Sequence, residues 1–128
     1  MRDGREYCFR CFILRVLLLF FCRTRPHIWG TTGCMSSSFW WNSQDFNSTI
    51  LALPAPSLPK TIYIDTGTDE GSEPAVQVQQ TKTVVETIAS KGWTLNDNLY
   101  LYLDDGGQHN EYFWGRRFHI VMEALYSV

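Results

Sequence analysis

No apolar run in this 128-residue sequence reaches the length of a membrane span. The unbroken run near the N-terminus, Val16 to Cys22, covers seven residues, and a transmembrane helix needs roughly 20. Basic residues ahead of an apolar stretch are a feature of signal peptides. However, Arg15 interrupts this stretch and no small-x-small cleavage pattern follows it. The compartment is left open, export and a cytoplasmic location both being compatible with residues 1–29. Cysteine is also scarce and badly placed for a metal. Cys8-x-x-Cys11 has the spacing of half a zinc site, but Cys22, Cys34 and His27 are too scattered to complete it. Nor do four cysteines make a dense disulfide framework. No metal and no cofactor is expected.

Positive charge is scarce over most of the chain. Residues 1–30 carry six Arg and two acids, a balance of +4. Residues 31–128 carry five Lys or Arg and eleven acids, a balance of −6. Phosphate contacts need clustered cations, so the larger segment is not expected to bind nucleic acid. The contrast divides the chain into a basic, hydrophobic leader, 1–29, and one domain, 30–128. Its length allows one real core and not two.

The domain itself is rich in pattern. "GTTGCMSSSFWW" at 30–41 reads as a short buried strand that ends in a Ser-rich turn. A polar loop follows; its Asn47-Ser48-Thr49 triplet is a glycosylation sequon, meaningful only in an exported chain. Pro54, Pro56 and Pro59 then forbid a helix and favour an extended connector. "KTIYID" at 60–65 is a β-branched and aromatic strand, stopped by the turn sequence "TGTDEG". Ser72 and Pro74 mark a helix start, with Val78, Thr81, Val85, Ile88 and Ala89 on one face and Gly92 as its stop. "NLYLYLDD" at 98–105 reads as another strand. A second helix is expected over 111–126, with Asn110 as its N-cap and Trp114, Phe118, Val121, Met122 and Leu125 along its apolar stripe. Glu111 complements that helix's dipole. Trp93 and Trp114 read as core, His119 as exposed, and Arg116 and Arg117 as a solvated face.

Strands alternating with helices imply βαβ units and a parallel sheet. Fold class α/β is therefore expected, with about three parallel strands and flanking helices. Ligands in such sheets bind beyond the carboxyl ends of the strands. "DTGTDE" and "DGGQHNE" both follow strand ends, so both should lie on one edge. A histidine base works best when a carboxylate holds its other nitrogen. His109 is the candidate base, and Asp65, Asp69 and Glu70 are the candidate acids. Ser36, Ser37 and Ser38 are read as turn residues rather than nucleophiles, because "MSSSFWW" lacks the glycines of a strained elbow. Three strands would also leave a sheet edge open, which invites self-association.

"MSSSFWWN", "IYIDTGTDEG" and "YLYLDDGGQHNEYFWGRRF", in that order, resemble the carboxy-terminal part of the esterase-D-type α/β-hydrolases. The branch they are most similar to is the predicted hydrolases related to siderophore esterases. The likeness runs from about Gly33 to Tyr126. It implies a partial α/β-hydrolase fold and a serine carboxylic-ester hydrolase acting on a small-molecule ester. His109 matches the family's catalytic histidine. Glu70 matches the triad acid, with Asp69 as the alternative, and Asp65 would instead bond to backbone. Trp40 and Trp41 match aromatics at the substrate site. The sequence departs from the family in one large respect: no G-x-S-x-G elbow occurs in it. The chain reads as a hydrolase fragment joined to unrelated residues, inactive by itself. The alternative is a non-catalytic interaction protein, or pseudoenzyme, that kept the substructure.

Overall fold

The structure is a computed structural model that describes residues 25, 28, 30–40, 43, 45–50, 52 and 61–126. The expected leader, 1–29, lies outside the described residues except for Arg25 and Ile28, and so does the Pro-rich connector over 53–60.

Among the described residues, three strands form one sheet: β1 (Thr31–Met35), β2 (Thr61–Gly67) and β3 (Leu99–Asp104). They are parallel and ordered β1-β2-β3, so β2 is central. A π-type helical turn, Phe46–Ile50, lies between β1 and β2 in sequence. Two long helices lie among the described residues, α1 (Pro74–Ser90) and α2 (Glu111–Tyr126). The expected α/β class with three parallel strands and flanking helices is what the chain forms.

Period-two alternation divides β2 between two layers. Ile62 and Ile64 join Cys34, Leu99 and the α1 residues Val84, Val85 and Ile88 in one core cluster. Tyr63 points to the other face and packs with Met35 and with Val121 of α2. β2 is buried along nearly its whole length. It nevertheless carries Asp65, which has no exposed surface. A buried carboxylate in a central strand requires partners, and α2 supplies them.

Helix boundaries follow from local chemistry. Pro74 starts α1, where its missing N–H costs nothing. Gly92 follows the last turn of α1 at φ 109, a conformation that favours glycine. The buried face of α1 is Thr81, Val84, Val85 and Ile88, so Val84 joins the expected stripe. On α2 the expected stripe needs correction. Phe118 and Met122 are 41% and 39% exposed, whereas Arg117 is buried with Val121. The buried face is turned by roughly 60°, at the ~100° per residue of an α-helix. The turn has a physical reason: the sheet presents carboxylates to this helix, and the fork of one guanidinium reaches three of them at once.

The strand register sets the site. Met35 pairs with Asp65, and Asp65 with Tyr102, while Gly67 pairs with Asp104. All three carboxyl ends therefore finish on one edge, and the segments after them meet there.

Candidate functional site

Two turns build the site, one after β2 and one after β3. Backbone hydrogen bonds join them: Thr68 N–H donates to the Asp104 carbonyl and Asp69 N–H to the Gly107 carbonyl, both at 3.0 Å. Gly106 N–H donates to Thr68 Oγ1 at 2.8 Å. So close an approach demands glycine. A Cβ on Gly67 would run into the Gly107 carbonyl, and one on Gly107 would come within 2.5 Å of Asp104 Oδ2. The "DDGG" in front of the histidine thus has a steric function.

Glu70 ends the first turn and folds back into the interior, with no exposed surface. One carboxylate oxygen, Oε1, accepts the Gly67 N–H at 2.7 Å and the Ser36 hydroxyl at 2.6 Å. The other, Oε2, lies 2.8 Å from both Gln77 Nε2 and His109 Nδ1. Burial pushes this carboxyl up, but the hydrogen bonds from Ser36, His109 and the Gly67 backbone outweigh it and hold it below its ordinary value. A carboxylate accepts only, so Nδ1 carries the proton and donates. The imidazole lone pair is then on Nε2.

The structure brings His109 and Glu70 together, although 39 positions separate them in the chain. Asp69 is exposed, and its carboxylate takes the Gln108 side-chain amide at 3.1 Å. Asp65 accepts the Ser36 backbone N–H at 3.0 Å, as a strand-closing acid would, and also Tyr63 Oη and Arg117. Burial pushes the Asp65 carboxyl up despite these partners.

His109 faces an open cleft of about 510 Å³, which it lines with Trp40, Val76, Gln77, Gln80 and the turn 71–73. Trp40 is half-exposed there. Trp41 lies outside the described residues. Among the described residues, no group of three or more His, Cys, Asp or Glu side chains could hold a metal ion. No helix among them is long and apolar enough to cross a membrane.

Three participants were not legible in the sequence. Arg117, 1% exposed, reaches Asp65 and Asp104 at 3.0 Å, Glu70 at 3.3 Å and Ser36 Oγ at 2.5 Å. Burial opposes its charge, and the carboxylates of Asp65, Asp104 and Glu70 more than offset this, raising its pKa further. Trp114 donates its indole N–H to Ser36 Oγ at 3.0 Å, and its ring stands edge-on to His109 with centroids 5.0 Å apart. Ser36 is fully buried, at φ 47, immediately after β1. A non-glycine residue at that φ is uncommon, and the Asp65 carboxylate and carbonyl hold its N–H there. The absence of glycine in "MSSSFWW" was therefore no guide to the turn. The available signal for Arg117 was its spacing, three residues after Trp114 and four before Val121.

No family model, curated protein or solved structure matches the chain.

Proposed function

We propose that this chain carries the acid–base half of a serine carboxylic-ester hydrolase, in a partial α/β-hydrolase fold of the esterase-D type. His109 is the general base, Glu70 holds its tautomer and stabilises the imidazolium, and Trp40 forms a wall for a small-molecule ester. The observation that carries the reading is the 2.8 Å contact between His109 Nδ1 and a fully buried Glu70 carboxylate, at the mouth of a cleft. Structural ion pairs are common, but a surface pair seldom has an acid held by four further donors. The order acid and then histidine, each after a parallel strand, supports the same reading.

The G-x-S-x-G elbow that would carry the nucleophile does not occur in the sequence. Ser36 has no exposed surface, and its hydroxyl donates to Glu70. Ser37 and Ser38 are buried as well. Ser72 is the one hydroxyl among the described cleft residues. The chain alone is therefore expected to hydrolyse no short-chain p-nitrophenyl ester above buffer, and His109→Ala and Ser72→Ala should leave the rate unchanged. Turnover that either substitution abolishes would mean that the chain contains its own nucleophile.

A second reading, an interaction protein that kept this substructure, draws on one feature. Among the described strands, β3 has a neighbouring strand on one side only. An unpaired edge is a template for another chain.

A further inference from the structure

We infer that Ser36 is a positioning residue: its buried hydroxyl locks the Glu70 carboxylate and the Trp114 ring against His109, and so fixes the imidazole from two sides. The inference rests on reading His109 and Glu70 as an acid–base pair.

The hydrogen-bond chemistry of one hydroxyl carries the argument. A serine oxygen has one proton to give and two lone pairs to fill. Arg117 Nη2 lies 2.5 Å from Ser36 Oγ and Trp114 Nε1 lies 3.0 Å from it. Guanidinium and indole donate only, so these two contacts fill the lone pairs. The Ser36 proton must then point to Glu70 Oε1, at 2.6 Å. Oε1 also holds the Gly67 N–H, and Oε2 is left to Gln77 and His109. The carboxylate cannot rotate without breaking the Ser36 bond. Trp114 is tied to the same oxygen and meets the His109 ring edge-on. One atom thereby sets both neighbours of the imidazole. Ser36 also accepts φ 47 to reach this place, a conformation that glycine adopts at no steric cost.

That last fact supplies a clean test. Ser36→Gly removes the hydroxyl and suits the backbone, so the full-length variant is expected to keep cooperative thermal melting. The readout is the His109 imidazole in ¹⁵N–¹H NMR spectra. In the wild type the ring is expected as a single Nδ1–H tautomer. In Ser36→Gly it is expected as a mixture of tautomers, with Nδ1–H exchanging about tenfold faster, the effect of losing one charge-assisted hydrogen bond. A cooperatively melting Ser36→Gly with the wild-type tautomer and exchange rate would overturn the inference. If Ser36→Gly does not melt cooperatively, Trp114→Phe keeps a ring beside His109 but removes the indole N–H; a smaller change in the same direction is expected, and none would overturn the inference. Glu70→Gln separates the two claims. If it leaves the imidazole spectrum as in the wild type, the acid–base reading itself fails. If it changes the spectrum while Ser36→Gly does not, only the positioning role of Ser36 is lost.

Discussion

Two adjacent arginines on α2 give the sharpest stability prediction. Arg116 and Arg117 both bond Asp104, yet the Arg116 side chain is 47% exposed and that of Arg117 1%. Replacing Arg117 with Met keeps the volume and removes the charge. Asp65, Glu70 and Asp104 then lose a cation that each touches within 3.3 Å. Removing one partner of a buried pair costs about 3–5 kcal/mol, because the remaining charge stays buried and uncompensated. That is a large part of the roughly 5–15 kcal/mol that holds a small domain together. Arg116→Ala removes a pair whose cation is half-exposed, worth about 1 kcal/mol, and leaves Asp104 bonded to Arg117. Urea unfolding followed by circular dichroism at neutral pH measures both. The Arg117→Met deficit should also shrink as pH falls, since neutral carboxyls no longer need the cation. Equal losses in the two variants, or an Arg117→Met loss below about 1 kcal/mol, would refute the view that α2 is turned to bury this guanidinium.

Glu70→Gln probes the same cluster through pH. The Glu70 carboxyl lies below its ordinary value of 4.5 when folded. A depressed acid contributes stability above its unfolded pKa and loses it as pH falls through the folded one. The stability gap between wild type and Glu70→Gln should therefore be full at neutral pH and close below about 4.5, and a gap independent of pH would show the carboxylate to be unperturbed. Gly67→Ala would push a methyl into the Gly107 carbonyl. It should cost about 1–3 kcal/mol in thermal or urea unfolding and displace the His109 turn, whereas unchanged stability would mean that the two turns are not in contact. The outer edge of β3, which has one neighbouring strand among the described residues, predicts concentration-dependent self-association by light scattering; a monodisperse, cooperatively melting monomer at all concentrations would count against it.

Much of the architecture was legible because local signals agreed. Tyr63 and the β-branched Ile62 and Ile64 mark β2, the Leu and Tyr alternation marks β3, and Pro74 and Gly92 bracket α1. That an acid near the end of β2 would meet His109 followed from topology, since parallel strands bring both following turns to one edge; the choice of Glu70 over Asp65 and Asp69 came from the family resemblance. The supporting shell was not legible, because it depends on how α2 is rotated. Helical spacing places Phe118 and Met122 near the buried face as readily as Arg117, and hydrophobicity favours the first two. The buried acids on β2 and β3 reverse that preference, and their burial is a tertiary fact. Ser36 was hidden for a related reason. Its left-handed backbone is held by Asp65, a residue of the next strand, and not by any residue of its own turn.

We propose, as the central claim, that His109 and Glu70 serve a serine on a G-x-S-x-G elbow, a motif that does not occur in this sequence. It is tested most directly by co-expressing the chain with a polypeptide that carries a G-x-S-x-G elbow and its preceding strands from an esterase of the type resembled, and assaying the co-purified complex on p-nitrophenyl butyrate. The account predicts turnover in the complex, none in either part alone, and its loss in His109→Ala and Glu70→Gln complexes that still co-purify. A complex that hydrolyses the ester equally well with His109→Ala, or one that forms and hydrolyses nothing, would contradict it.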